Sequence, residues 1–243
     1  MQTLPPPPPD LLAGAALFLD FDGTLIELAE APDAIEVPPR LGALLERLRQ
    51  RLDGRLAIVS GRAIADLERY VRMPGIPFSG SHGLELRLSD GTDVPLHASG
   101  GLTEVRERVR RFAEGQHGLL VEEKPAGVAL HFRRSPAAER PVADFMEQVA
   151  REAALVVQRG NMVVELRPPG ADKGDAVRAL MKLDPFTGGR PLFLGDDFTD
   201  EHAFEAVTAM GGAGVLVGPQ RDTAARYRLP SVAAVGDWLE ACA

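Results

Sequence analysis

Two aspartates separated by one residue follow an apolar stretch near the start of the chain. Asp20 and Asp22 come directly after the apolar residues 15–19, and Gly23 follows them. On an extended strand, residues i and i+2 project from the same face, so both carboxylates can reach one reacting centre. Because two like charges this close repel, the pair requires a metal ion, a shared proton or both. Taken alone, the pattern also fits a strand that ends in a solvated Asp–Gly turn.

A second acidic group follows another apolar stretch, at residues 192–194. Four carboxylates stand within six residues there: Asp196, Asp197, Asp200 and Glu201. Helix capping and the helix dipole account for two or three of them. They do not account for Asp196 against the strand end, where an unpaired charge is costly. A hard cation that prefers oxygen ligands would explain an acidic residue at this position, and we predict that the cation is Mg²⁺.

Ser60 and Lys173 add groups that bind an anion. Ser60 follows a predicted strand and can donate to a phosphate oxygen, and Lys173 opens a predicted helix. Singly, Ser60 fits a helix N-cap and Lys173 a solvated surface residue. With the carboxylates they suit a phosphoryl group, whose negative charge must be neutralised before a carboxylate can attack it. Asp20 would attack phosphorus, and Asp22 would protonate the leaving oxygen and then activate water.

The predicted elements place these residues at strand ends. A strand at 15–21, a helix from Leu41, a strand at 56–59 and a helix over 64–71 alternate, which implies a parallel sheet with right-handed crossovers. The same rhythm resumes after residue 168, with strands at 191–194 and 214–217 and a closing helix at 237–242. In such sheets, ligands bind at the carboxyl ends of the strands.

Residues 84–167 have a different pattern. A hairpin around 89–91 precedes four short strand-like runs that are joined by only two helices, which predicts an inserted α+β domain with a largely antiparallel sheet. We therefore predict a core formed by residues 11–83 and 168–243. Residues 1–10 form a proline-rich leader, which we expect to be extended and disordered or loosely attached.

The bulk composition excludes several classes of protein. The formal net charge of −8 over 243 residues argues against general nucleic-acid binding, although a metal can still make a local pocket attractive to anions. The single cysteine, Cys242, cannot form an internal disulfide, which favours a reducing compartment. No apolar run is long enough to span a bilayer, and the first ten residues lack the basic residues of a secretory signal. We expect a cytoplasmic, soluble monomer without nucleic-acid or membrane partners.

Four motifs, in chain order, resemble those of the haloacid dehalogenase superfamily of phosphohydrolases. They are Asp20–Thr24, Ser60–Arg62, Lys173 and Gly195–Asp197. Four further segments resemble trehalose-6-phosphate phosphatases: residues 81–85, 122–125, 130–133 and 164–168. The resemblance implies an α/β fold with a Rossmann-like parallel-sheet core and an inserted α+β cap. It also implies Mg²⁺-dependent hydrolysis of trehalose 6-phosphate to trehalose and phosphate, through an aspartyl-phosphate.

The resemblance also implies roles for individual residues. The catalytic residues would be Asp20, Asp22, Ser60 and Lys173. Asp20, Asp22 and Asp196 would hold the metal, with Asp197 and Asp200 beside them. Arg62, His82 and Gly83 would act at the substrate, with His82 in a positioning or hinge role. Glu122, Lys124, Arg133 and Glu165 would recognise the disaccharide. Asn161 stands where family members often carry a lysine, so it would bond a hydroxyl without a positive charge.

Three other functions are also compatible with the sequence. Another sugar-phosphate phosphatase or a phosphosugar mutase would use the same nucleophile and a similar cap. A catalytically silent sugar-phosphate sensor would keep the fold and the pocket, although here every catalytic position is filled. A panel of sugar phosphates offered with Mg²⁺ discriminates between these alternatives.

Overall fold

The structure is a computed structural model that describes residues 3–28, 35, 37–71, 73–94, 101–124, 127–160, 162–169 and 172–243. Asn161 therefore lies outside the described residues. The chain divides into two compact units, Met1–Leu96 with Asp172–Ala243, and His97–Ala171. Among the described residues, no helix has the length and apolar character that crossing a membrane requires.

The described residues form eleven strands and seven α-helices. The strands are β1 (Ala15–Leu19), β2 (Leu56–Val59), β3 (Phe78–Gly80), β4 (Glu85–Arg87), β5 (Leu120–Lys124), β6 (Gly127–His131), β7 (Val156–Gly160), β8 (Val163–Arg167), β9 (Arg190–Gly195), β10 (Ala213–Val217) and β11 (Tyr227–Leu229). The helices are α1 (Leu41–Arg51), α2 (Ile64–Tyr70), α3 (Leu102–Ala113), α4 (Glu139–Ala153), α5 (Lys173–Leu180), α6 (Glu201–Ala209) and α7 (Val232–Cys242).

The first unit contains a seven-stranded sheet in the order β11-β10-β9-β1-β2-β3-β4. All neighbours are parallel except β3 and β4, which are antiparallel. Leu19, the last residue of β1, is level with Leu194 of β9 and Ile58 of β2. The three central strands therefore end at the same edge, from which the residues that follow them project.

Helices cover both faces of this sheet. Leu17 and Leu19 of β1 lie in a hydrophobic core with α1, α2 and α7, whereas Ala16 and Phe18 lie in a second core with α5 and α6. This alternation follows from the strand period of two, and it explains why the central strands are apolar throughout. The three-layer arrangement confirms the predicted α/β fold with a parallel-sheet core.

Residues 5–9 of the proline-rich leader pack against the first unit, so the prediction that these prolines are disordered or loosely attached is wrong. Pro7 is buried, and the carbonyl of Pro5 accepts a hydrogen bond of 3.0 Å from the N–H of Arg228 in the outermost strand β11. The carbonyl of Pro9 accepts from the thiol of Cys242, at 3.4 Å. Side-chain burial and these carbonyl contacts hold the segment, and neither depends on the N–H groups that proline lacks.

The second unit is an antiparallel sheet in the order β5-β6-β8-β7, with α3 and α4 on one face. Val128, Leu130, Val164 and Leu166 are buried in the core between this face and the helices. The predicted insert began at residue 84, but β4 pairs with β3 and Leu86 is buried in the core of the first unit. Residues 84–94 therefore belong to the first unit, and the start of the insert lies later than predicted.

Candidate active site

Three carboxylates converge at the carboxyl edge of the seven-stranded sheet. Asp20 follows β1, while Asp196 and Asp200 follow β9. One carboxylate oxygen of each lies within 4.8 Å of the other two. Asp20 and Asp200 are buried, and Asp196 is partly exposed. The register of β1 and β9 brings the two acidic segments together, as expected from the sequence.

Lys173, the first residue of α5, contacts two of these carboxylates. Its Nζ lies 2.7 Å from Oδ1 of Asp20 and 2.5 Å from Oδ1 of Asp200, and its side chain is only 3% exposed. Burial lowers the pKa of the Lys173 ammonium, but the charges of Asp20 and Asp200 outweigh this effect and raise the pKa above its ordinary value of 10.5. Lys173 therefore carries a positive charge in the site at neutral pH.

One ammonium does not balance three carboxylates. Burial raises the pKa of Asp20 well above its ordinary value, with Lys173 opposing and Asp200 adding to the shift. Burial, reinforced by Asp200, also raises the pKa of Asp196 to about 6. A divalent cation would remove this excess of negative charge, and three carboxylate oxygens in reach of one another are the donor set that Mg²⁺ prefers. The residues present therefore fit Mg²⁺.

Asp200 has a more central place than its predicted position beside the metal ligands. Its Oδ2 accepts the N–H of Asp197 at 2.9 Å, while its Oδ1 contacts Lys173 and its carboxylate belongs to the acidic cluster. Asp197 caps the 3₁₀ turn Phe198–Asp200 by accepting from the N–H of Phe198 at 2.6 Å. The sequence indicated that capping and the helix dipole account for some of these carboxylates, but it did not indicate that the Asp200 side chain lies in the acidic cluster.

Gly23 permits the close approach of the first motif to the second. Its φ is +74°, and a Cβ at this position would overlap the carboxylate of Asp196. Any other residue would therefore have to displace a member of the acidic cluster as well as adopt a strained backbone. The glycine is required here by both conformation and space.

The side chain of Asp22, which was predicted as a metal ligand, pairs with Arg62. Both of its carboxylate oxygens face Arg62, with Nε to Oδ2 at 2.6 Å and Nη2 to Oδ1 at 2.7 Å. Arg62 was predicted to bind substrate, and this hydrogen bond raises the pKa of its guanidinium. The side chain of Asp22 is not in the described acidic cluster, where Asp200 stands instead.

Ser60 directly follows β2 and is buried. Its Oγ accepts the N–H of Arg62 at 3.2 Å, so the hydroxyl keeps its own proton for donation to another acceptor. This geometry is compatible with the predicted role of Ser60 as a donor to a phosphate oxygen.

The loop containing His82 and Gly83 packs against the Ser60–Arg62 turn and donates backbone hydrogen bonds to it. Ser81, His82 and Gly83 all have positive φ values, of 50°, 56° and 98°. The N–H of Ser81 donates to the carbonyl of Arg62 at 2.7 Å, and the N–H of His82 donates to the carbonyl of Ser60 at 3.1 Å. The imidazole of His82 occupies the space above Gly61. These contacts favour the predicted positioning role for His82.

In the second unit, the sheet face away from the helices carries three of the four predicted sugar-recognition residues. Glu122 and Glu165 are each level with Ala129 on the strand between them, so they share a face, and Lys124 lies two residues from Glu122. Lys124 forms an ion pair with Glu165, and Glu122 lies 2.8 Å from His131. Arg133 follows the end of β6 and is exposed.

Residues 18–233 match the family model described as trehalose-phosphatase. The chain belongs to the trehalose-phosphatase family. It is 39% identical over 206 residues to a probable trehalose-phosphate phosphatase of Sinorhizobium fredii, covering 84% of this chain and 78% of that protein. It is 35% identical over 234 residues to the trehalose-6-phosphate phosphatase of Escherichia coli, covering 96% of this chain and 88% of that protein.

Solved structures agree with this membership of the trehalose-phosphatase family. A trehalose-6-phosphate phosphatase related protein has a TM-score of 0.70 and 27% identity, with 92% of this chain and 95% of that chain covered. A haloacid dehalogenase-like hydrolase from Bacteroides thetaiotaomicron has a TM-score of 0.67 at 18% identity, with 92% and 97% covered, and shows the shared fold. The resemblance read from the motifs is thereby confirmed.

Proposed function

We propose that this protein is a Mg²⁺-dependent phosphatase that hydrolyses trehalose 6-phosphate to trehalose and phosphate. The observation that carries the proposal is the convergence of Asp20, Asp196 and Asp200 around Lys173, in a chain of the trehalose-phosphatase family. These groups provide a nucleophile, a cation-binding set and a fixed ammonium within one small volume. A phosphate monoester needs all three.

Asp20, Asp196 and Asp200 would hold Mg²⁺, which when bound supplies positive charge to the phosphoryl oxygens and lowers their repulsion of a carboxylate. Lys173 adds a second positive charge against Asp20. The Ser60 hydroxyl donates a hydrogen bond to a phosphoryl oxygen. These residues bind and orient the phosphate so that its phosphorus faces Asp20.

In the first half of the reaction, one oxygen of Asp20 attacks phosphorus and forms an aspartyl-phosphate. The bond from phosphorus to O6 of the sugar breaks, and its electron pair stays on that oxygen. Protonated Asp22 gives its proton to the oxygen, so trehalose leaves as an alcohol. Asp22 is then a carboxylate.

In the second half, a water molecule attacks the phosphorus of the aspartyl-phosphate. Asp22 takes a proton from this water as the new bond forms. The bond between phosphorus and Asp20 breaks, and its electron pair returns to the Asp20 carboxylate. Phosphate leaves, and both aspartates regain their starting states.

For the sugar, we propose recognition by Glu122, Lys124, Glu165 and Arg133 of the second unit. Carboxylates and ammonium or guanidinium groups on one polar face suit hydroxyls, which both donate and accept hydrogen bonds. The shared face of Glu122, Lys124 and Glu165 supports this assignment.

A substrate panel tests the proposal. Phosphate release from trehalose 6-phosphate, hexose 6-phosphates and p-nitrophenyl phosphate would be measured with Mg²⁺ and with a chelator. We expect the disaccharide phosphate to have the highest kcat/KM and the chelator to abolish turnover. Release from a hexose phosphate but not from trehalose 6-phosphate would refute the substrate. Transfer of phosphate between positions of one sugar would indicate a mutase.

The Asp20→Asn variant separates catalysis from binding. The amide keeps the shape of the side chain but cannot attack phosphorus, so we expect kcat to fall by about 10³-fold or more. Retention of most activity would exclude the aspartyl-phosphate, and a wild type that binds trehalose 6-phosphate without turnover would be a sensor. The predicted monomeric state and cytoplasmic location stay predictions.

A further inference from the structure

Arg62 and Asp22 form a two-point ion pair beside the acidic cluster. The guanidinium contacts both oxygens of one carboxylate, at 2.6 and 2.7 Å, and the side chains are 15% and 27% exposed. A bidentate pair of this kind fixes the plane of the carboxylate as well as its position. Asp22 is therefore oriented by Arg62 and not by solvent.

Arg62 is itself held from several directions. Its N–H donates to Oγ of Ser60 at 3.2 Å, and its carbonyl accepts from the N–H of Ser81 at 2.7 Å. Its guanidinium lies 5.6 Å from the centre of the Tyr70 ring. Neighbouring residues therefore fix both the backbone and the guanidinium of Arg62. The guanidinium is oriented towards Asp22 before substrate binds.

The pair is unsuited to the role predicted for Arg62. A guanidinium matched to a carboxylate has no net charge to offer a phosphate dianion, whereas Lys173 sits among three carboxylates that a divalent cation completes. The pair instead fixes the position and the plane of the Asp22 carboxyl group beside the acidic cluster.

We infer that Arg62 is a positioning residue that fixes Asp22 for the hydrolysis of the aspartyl-phosphate. This inference rests on the proposed function. In that step, the oxygen of water bonds to phosphorus while a water proton moves to one Asp22 oxygen. The bond from phosphorus to Asp20 breaks with its electron pair going to Asp20, and phosphate leaves. Arg62 acts on this step through Asp22.

The two halves of the reaction separate with p-nitrophenyl phosphate. Its leaving group is a stable anion that departs without a proton, so phosphorylation of Asp20 does not need Asp22 as an acid. Hydrolysis of the aspartyl-phosphate still needs Asp22 as a base. At saturating substrate, the fraction of enzyme phosphorylated on Asp20 depends on the ratio of the two rates. It is measured by acid quench and mass spectrometry of the intact protein.

For Arg62→Gln, we expect hydrolysis of the aspartyl-phosphate to slow about 10- to 100-fold, part of the 10²–10⁴ that a general base contributes. The kcat/KM for p-nitrophenyl phosphate should change by less than about threefold, because it reports phosphorylation. The phosphorylated fraction should therefore rise. An unchanged or lower fraction, or a loss confined to KM, would overturn the inference and return Arg62 to substrate binding.

Matched variants complete the experiment. Asp22→Asn should also raise the phosphorylated fraction, and adding Arg62→Gln to it should cause no further rise. Arg62→Lys keeps the charge but not the two-point contact with the carboxylate, so the phosphorylated fraction should rise less than in Arg62→Gln. If Arg62→Gln does not fold, Arg62→Lys is used for the test instead. Arg69→Gln removes an exposed arginine of α2 that pairs with Asp66, and should behave as wild type.

Failure of the proposed function gives a different result. If wild-type protein turns over p-nitrophenyl phosphate through Asp20 but not trehalose 6-phosphate, only the sugar assignment is lost and the Arg62 test still applies. If Asp20 never carries phosphate in the wild type, Asp22→Asn or Arg62→Gln, both the mechanism and the inference fail.

Discussion

Replacing Lys173 by methionine isolates the electrostatic balance of the site. Methionine fills a similar volume but removes the ammonium that contacts Asp20 and Asp200 from a side chain that is 3% exposed. Removing one partner of a buried ion pair costs about 3–5 kcal/mol, because the remaining charge is left uncompensated. For a chain of this size, each kcal/mol lowers Tm by about 2–4 °C, so we expect a fall of about 6–20 °C.

Thermal unfolding in a chelator at about pH 7.5 measures this effect. The pKa of Asp196 is raised to about 6 and that of Asp20 is raised well above its ordinary value. As the pH falls through these values the carboxylates take up protons, so the advantage of wild type should shrink. The pKa of Lys173 is raised above 10.5, so the advantage persists at higher pH until the ammonium itself loses its proton.

Two further measurements sharpen the Lys173 experiment. Adding Mg²⁺ should recover part of the lost stability, because the ion supplies charge to the same carboxylates. Lys182→Met, at an exposed position, serves as the control. If Lys173→Met had the same Tm as Lys182→Met in the chelator at neutral pH, the carboxylates would not be charged in the folded protein. The reasoning would then be wrong.

Three other predictions concern the same site and the second unit. The Mg²⁺ concentration for half-maximal stabilisation should rise about tenfold per pH unit below pH 6, because the proton on Asp196 must leave first; a flat profile by thermal shift would exclude Asp196 as a ligand. Gly23→Ala should abolish Mg²⁺-induced stabilisation and lower the free energy of unfolding by about 1–2 kcal/mol, since φ is positive and the methyl group meets Asp196; normal Mg²⁺ titration would contradict this. Glu165→Ala should lower kcat/KM about 10-fold or more for trehalose 6-phosphate but not for p-nitrophenyl phosphate; equal losses would assign Glu165 to folding.

The central strands of the first sheet were predictable because their residues are apolar on both faces. β1 and β2 are buried throughout and β9 is buried from its second residue onward, and the chemistry-bearing residues follow directly after these strands. β3 and β11 were not predicted, since each has only three residues and takes its strand geometry from neighbours already in the sheet. Helix α7 begins at Val232 and not at residue 237, because Ser231 caps it by accepting from the N–H of Ala234.

The residues that meet at the site were more predictable from the sequence than the contacts between their side chains. The order of strands puts Asp20 beside Asp196, and the motif spacing was enough to predict that meeting. The directions of the side chains beyond the end of each strand decide which carboxylate lies in the acidic cluster and which one pairs with Arg62. Asp22 and Asp200 are both two or more residues beyond their strands, where the period of two no longer holds.

The packed prolines have a consequence for how molecules of this protein meet one another. On its outer side, β11 would otherwise offer peptide groups to any extended chain that came near, and the N–H of Arg228 is already taken by Pro5. Residues 5–9 carry no amide hydrogens, so they cannot donate to a further strand. Strand-by-strand growth into aggregates is therefore blocked at this margin of the sheet.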